Sequence, residues 1–218
     1  DNVTKRDKIE LDFKGLDTYA DIYVNDKKVT STDNMFREYQ TDVKKILKAG
    51  DNKLHIVFRS PIVEGLKKYD ANEFVYPGAE NDQAERGEVE GGKRVSIYTR
   101  KAGYHFGWDW GPRLVTSGIW RPVYLKAWDE AKIENLQIIQ NKVSETKATF
   151  TAVFEVDAAK KGKAKISVKN DEFKLATASI NLVEGIKKYS VDFEIENPKL
   201  WWTNGLGEPH LYNLTGEL

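Results

Sequence analysis

Apolar residues recur through this sequence with a period of two rather than 3.6, which predicts a chain built almost entirely of β-strands. Ile9, Leu11 and Phe13 alternate with charged residues, and the same alternation returns at residues 19–24. The Asn25-Asp26 pair that follows separates this segment from a second short strand and indicates a hairpin. We therefore expect an antiparallel, all-β fold.

The strand pattern is interrupted between about residues 60 and 99, where Glu, Gly, Lys and Asn predominate. Gly91-Gly92 forms a hinge-like pair within this stretch. A connection of this length in a compact domain is usually functional or mobile. Extended character resumes at residues 114–128, where Pro122 suits the start of a strand or an edge strand.

A domain boundary is predicted near residue 128, where aromatic and glycine-rich sequence gives way to plainly alternating strands. The predicted domains are residues 1–128 and 129–218. Short strand-like segments follow one another closely in the second domain, and this spacing is typical of an immunoglobulin-like sandwich. These segments lie at residues 133–140, 148–156, 164–169, 173–182, 189–195 and 211–215.

Composition argues against several classes of partner. The chain has 34 basic and 34 acidic side chains, so its net charge is zero and no long-range field would attract nucleic acid. No apolar run approaches the roughly 20 residues that span a bilayer, so we expect no membrane partner. The chain has no cysteine, and its three histidines, His55, His105 and His210, lack metal-ligand spacing. We expect neither a metal nor a cofactor.

The sequence YHFGWDWGPR at residues 104–113 concentrates aromatic rings around one carboxylate, with glycines and a proline that must bend the chain. One interpretation is a sugar-binding surface, in which indole rings cover the apolar face of a pyranose and the carboxylate accepts hydrogen bonds from hydroxyl groups. The other is a corner of the core, with the tryptophans buried for packing and Asp109 capping a turn. Residue types alone leave both open.

Three blocks of sequence resemble β-mannosidases of glycoside hydrolase family 2. RKAGYHFGWDWGPRLVTSGIWRPVYL at residues 100–125 is similar to the signature of that family. FKGLDTYADIYVN at residues 13–25, with TDNMFR at 32–37, resembles its amino-terminal sugar-binding domain. PKLWWTNGLGEPHLY at residues 198–212 resembles the close of the immunoglobulin-like domain that follows.

The resemblance implies a jelly-roll-like, galactose-binding-like β-sandwich followed by an immunoglobulin-like β-sandwich, and further strands before Lys8. It also implies that the two catalytic glutamates of a retaining mechanism belong to a (β/α)₈ barrel beyond Leu218. Asn72-Glu73 matches the dipeptide that carries the acid/base residue in the family, but no apolar barrel strand precedes it, so we interpret the match as coincidental. No catalytic residue is assigned in this chain, and the fragment alone is expected to be inactive.

The family motif further implies that Trp108 and Asp109 reach into the pocket of the missing catalytic barrel and hold a β-mannoside or manno-oligosaccharide substrate. Trp110 is a less certain third member, because two-residue alternation could turn it into its own core. A free-standing carbohydrate-binding module and a sandwich-type interaction scaffold remain alternatives.

Several other conspicuous residues are interpreted first as structural. His55 is expected to be a half-buried packing residue and His210 to be structural in the closing strand, while His105 is left open between structure and site. Arg100 and Lys101 belong to the matched motif and are expected to orient the aromatic corner through ion pairing, which contributes at most about 1 kcal/mol if the pair is exposed. Trp201-Trp202 are expected to pack at an interdomain seam.

Overall fold

The computed structural model describes residues 3–78, 93–171 and 174–218, and divides into two compact units, Asp1–Ala127 and Trp128–Leu218. The sequence had suggested a division one residue later. Strands dominate both units, so the all-β prediction is confirmed. The Gly91-Gly92 pair and Phe173, the first residue of one predicted strand, lie outside the described residues.

Unit 1 pairs its strands in two three-stranded sheets, ordered β5-β1-β8 and β4-β3-β6, and a short two-stranded sheet, β2-β7. The β1–β5, β2–β7, β3–β4 and β3–β6 pairs run antiparallel. The strands are β1 (Lys8–Phe13), β2 (Leu16–Asp17), β3 (Tyr19–Val24), β4 (Lys27–Asp33), β5 (Tyr39–Asp42), β6 (Leu54–Arg59), β7 (Gly118–Ile119) and β8 (Val123–Trp128).

The core of unit 1 lies between its two larger sheets. Alternate residues of β1 and β3 are fully buried, which is why the period-two pattern located these strands. The buried cluster is Ile9, Leu11, Phe13, Leu16, Ala20, Ile22, Val24 and Val43. At the β3–β4 hairpin, Asn25 and Asp26 have φ values of 50° and 64°, the left-handed conformation that a tight hairpin turn requires.

The helix α1 (Pro61–Asp70) was not predicted from the sequence, and it occupies the start of the predicted long connection. Its amino-terminal signals were present, because Ser60 caps the helix by accepting from the Val63 amide at 3.4 Å and Pro61 occupies the first turn. Gly65 packs against Val95, where an added Cβ would come within 2.8 Å of the valine Cβ. The polar composition of the segment concealed a helix that buries only a narrow face.

Unit 2 consists of two three-stranded sheets, ordered β13-β10-β9 and β12-β11-β14, around a core formed by Phe154, Ile166, Phe193 and neighbouring aliphatic side chains. The Phe150 and Phe193 rings stack at 5.0 Å between centroids. The strands are β9 (Ala131–Val143), β10 (Lys147–Ala158), β11 (Gly162–Lys169), β12 (Lys174–Leu182), β13 (Gly185–Glu196) and β14 (Thr215–Glu217). The last predicted strand, 211–215, was placed too early, because pairing with β11 begins only at Thr215.

Candidate functional site

The aromatic run folds as a loop with one buried anchor. Gly103–Phe106 form a 3-10 turn, and the Phe106 side chain at its end is completely buried. Gly107 then adopts φ 139° and ψ 156°, a combination that residues with a Cβ strongly disfavour. The buried ring and the glycine together direct the following residues out of the domain.

Trp108, Asp109, Trp110 and Gly111 form a tight turn at the tip of this loop. The Gly111 amide donates to the Trp108 carbonyl oxygen at 3.2 Å, which places Asp109 and Trp110 at the two central positions. Trp108 is 57% exposed and Trp110 is 95% exposed, and Asp109 is also exposed. The core-corner interpretation is therefore wrong, because neither indole is packed inside the sandwich.

The position of Trp110 also differs from the expectation that its ring could pack into the core. Two-residue alternation allowed its ring to anchor the loop in the core, yet it is more exposed than the Trp108 ring. The reason is local, since a turn reverses the chain and alternation holds only along an extended strand. Phe106, not Trp110, is the anchor.

Lys101, at the base of the loop, forms an ion pair as expected, and the pair is buried. Its ammonium group pairs with the Asp17 carboxylate of β2, and the two side chains are 0% and 6% exposed. It also donates to the Thr116 carbonyl oxygen at 2.8 Å. No sequence signal indicated this pair, because its members lie 84 positions apart.

His105 and Met35 form hydrogen bonds that stabilise the same loop. The His105 Nδ1 atom lies 3.1 Å from the Leu114 carbonyl oxygen and 3.2 Å from the Thr116 hydroxyl. The Ala102 amide donates to the Met35 sulfur at 3.1 Å, and the Met35 amide donates to the Arg100 carbonyl oxygen at 2.9 Å. These contacts give His105 a structural role behind the tip.

The remaining histidines differ from expectation in detail. His55 is exposed beside the Tyr23 ring instead of half-buried, because β6 leaves that face uncovered. His210 precedes β14 and meets the Tyr212 ring edge-on at 4.7 Å. Within the described ranges, no group of three or more His, Cys, Asp or Glu residues is arranged to hold a metal ion. No helix in the same ranges is long and apolar enough to cross a membrane.

Two other sequence candidates occupy exposed positions. Asn72 and Glu73 follow the carboxyl end of α1, and the Asn72 amide donates to the Lys68 carbonyl oxygen, an ordinary helix-end contact. Trp201 and Trp202 are about half exposed and line a pocket of about 440 Å³ within unit 2. Their placement at an interdomain seam stays a prediction.

Two protein-family models match the sequence of this chain. Residues 1–121 match the glycosyl hydrolase 2 galactose-binding domain-like family, and residues 131–218 match glycosyl hydrolases family 2. The fold, with two β-sandwiches and an exposed aromatic loop on the first, agrees with these assignments. The chain belongs to glycoside hydrolase family 2.

A named relative and two solved structures show which members of the family this chain resembles. The chain is 33% identical over 217 residues to β-mannosidase B of Aspergillus niger, covering 97% of this chain and 24% of the relative. It is similar to the crystal structure of a β-D-mannosidase from Dictyoglomus thermophilum, with a TM-score of 0.81 and 30% identity over 99% of this chain and 25% of that one. An exo-chitosanase from Amycolatopsis orientalis shares the fold, with a TM-score of 0.60 at 21% identity.

The chain thus spans about a quarter of the length of the β-mannosidases that it matches. It corresponds to the amino-terminal part of β-mannosidase-like members of the family, and its described residues form two strand-rich units and no (β/α)₈ barrel. The predicted family, and the galactose-binding-like and immunoglobulin-like architecture that it implied, are confirmed.

Proposed function

We propose that this chain is the non-catalytic part of a retaining β-mannosidase and that its aromatic loop supplies one wall of the substrate pocket. The observation that supports the proposal is the tip of the loop, where an exposed carboxylate stands between two exposed indoles on a tight turn. The named relatives are β-mannosidases, which makes a β-mannoside the substrate to test first.

The chemistry of the tip suits a pyranose. A carboxylate accepts hydrogen bonds from a pair of hydroxyl groups, and each charge-assisted bond contributes about 1.5–3 kcal/mol. An indole beside it offers an apolar face to the C–H groups of the same ring. We assign Asp109 to the hydroxyl groups and Trp108 to the ring face, with Trp110 extending the apolar surface.

The openness of the tip favours a shared pocket over a free-standing binding module. Ligand pockets generally bury 70–90% of the ligand surface, whereas a single turn that projects from a domain can cover only one side. At 95% exposure, the Trp110 ring is left almost uncovered by the described residues. A second wall from the catalytic part of the longer protein would enclose the sugar and cover the indole.

The experiment compares Asp109→Ala with Asp51→Ala in the full-length protein, because Asp51 is also an exposed carboxylate of unit 1 but lies on a different loop. Loss of one charge-assisted bond in the transition state predicts a fall in kcat/KM for an aryl β-mannoside of about ten- to a hundredfold. Melting should be unchanged, since the side chain is exposed. Asp51→Ala should keep full activity.

An Asp109→Ala protein with the activity of the control would overturn the pocket role. Titration of the 218-residue chain with manno-oligosaccharides, followed by tryptophan fluorescence, addresses the alternative class. Saturable quenching that disappears in Trp108→Ala would favour a free-standing carbohydrate-binding module. An interaction scaffold would be favoured if the full-length protein had no glycosidase activity and if replacing Trp108, Asp109 or Trp110 changed none of its measured activities.

A further inference from the structure

We infer that the buried Asp17–Lys101 pair is a positioning device that sets where the aromatic tip stands, and this inference rests on the proposed function of that tip. Both side chains are almost completely buried, so neither can contact a sugar bound at the surface. The pair would therefore act on the sugar only through the loop.

Asp17 is a fixed point of the sandwich. It lies on β2, where its backbone pairs with Gly118 of β7, and its neighbour Thr18 is completely buried. The Thr18 hydroxyl donates to the Asp17 carboxylate, and the Thr18 carbonyl oxygen accepts from the Thr32 hydroxyl at 2.7 Å. Thr32 in turn accepts from the Ala20 amide at 3.0 Å, so this carboxylate is attached to the central strands.

Lys101 connects that fixed point to both ends of the loop. Its own backbone begins the loop, and its ammonium group donates to the carbonyl oxygen of Thr116 at the other end. One buried cation thus closes the base of residues 102–115 against a buried anion. Moving either end would separate charges in a region without water, which is strongly unfavourable.

The tip has little support of its own, so its position follows from the base. Beyond Phe106, the backbone hydrogen bond that organises the turn is the one from the Gly111 amide to the Trp108 carbonyl oxygen. A small displacement at the base is carried outward along the loop, and a shift of about 1 Å in a group that positions substrate can cost a hundredfold in rate. An anchored base is the way this fold keeps Trp108 and Asp109 in place.

The test removes both charges together, because removing one would leave the other buried and unpaired. Asp17→Asn/Lys101→Met keeps an acceptor for the Thr18 hydroxyl and nearly the volume of the lysine stem. The matched control is Asp12→Asn/Lys126→Met, since Asp12 is completely buried, pairs with Lys126 at 2.5 Å and with Lys14 at 3.1 Å, and joins β1 to β8 without involving residues 102–115. Asp17→Asn/Lys101→Gln, which likewise removes both charges but keeps a polar group on each side, serves as the second variant if the first fails to fold.

The first measurement is limited chymotrypsin digestion of the native full-length protein, because the loop contains Tyr104, Phe106, Trp108 and Trp110 as cleavage sites. Cleavage within residues 102–115 should be at least about tenfold faster in the anchor variant than in the control, since native-state cleavage reports local opening. Cleavage at the control rate would overturn the anchor, whatever the function of the tip.

The second measurement is a double-mutant cycle in kcat/KM with Asp109→Ala. The anchor variant should lose about tenfold in an otherwise wild-type protein and almost nothing more when Asp109 is already absent, because both changes remove the same interaction. Faster cleavage without loss of activity, or losses that multiply independently, would overturn the positioning role. Full activity of Asp109→Ala alone would instead refute the proposed function, while the digestion result would still decide on the anchor.

Discussion

Gly107 offers the sharpest test of the loop geometry, because its backbone conformation is open to glycine and to almost no other residue. With φ 139° and ψ 156°, an alanine at this position should cost about 1–3 kcal/mol if the backbone stays in place. At about 3–5 °C per kcal/mol for a unit of this size, the melting temperature of unit 1 should fall by roughly 3–15 °C. Calorimetry of the 218-residue chain measures this directly.

Gly103 provides the matched control in the same loop. An added Cβ there would have no atom within 4 Å, and its φ does not lie in the left-handed range. Gly103→Ala should therefore be neutral or stabilise by about 0.4–1 kcal/mol through the unfolded state. If Gly107→Ala and Gly103→Ala have the same melting temperature, the positive φ of Gly107 does not hold the loop. The tip would then not be directed out of the domain by this residue.

Two further predictions concern the cores and the pH dependence. Phe154→Ala, in the core of unit 2, should destabilise that unit by about 3–5 kcal/mol, and a loss below about 1 kcal/mol in denaturant unfolding would contradict its central packing. Burial opposes ionisation of Asp12, but pairing with Lys126 and Lys14 outweighs it and lowers the pKa of this carboxyl. Its stabilising contribution is therefore present above the unfolded value of about 3.8 and is lost as pH falls through the lower folded pKa. Asp12→Asn should accordingly be destabilised at pH 7, and its deficit should shrink as pH falls below about 3.8, so a deficit that does not change with pH would refute the assignment.

The sequence could predict most strands because burial on one face of a sheet leaves a local, two-residue record. Ile9, Leu11 and Phe13 show that record and are all buried in β1. The hairpin at Asn25-Asp26 was likewise predictable, since these residues tolerate the positive φ that the turn requires. The helix Pro61–Asp70 was missed although Ser60 and Pro61 signalled its start, because its buried face is narrow and its remaining surface is polar.

The candidate site was only partly predictable, because residue type does not determine exposure. The run at residues 104–113 identified the aromatic tip and, through the family resemblance, its proposed role. It could not distinguish a buried corner from an exposed one, and alternation misplaced Trp110 because the chain turns there.

Local periodicity and contiguous motifs were enough to predict most of the β-strands, the two-sandwich architecture and the family of this chain. The outward projection of Trp110 and the burial of Lys101 against Asp17 became evident from the folded arrangement of the chain. Exposure and charge pairing depend on which distant segments come together. A lysine next to an arginine is ordinarily solvated, and only a carboxylate supplied by another strand makes its burial energetically possible.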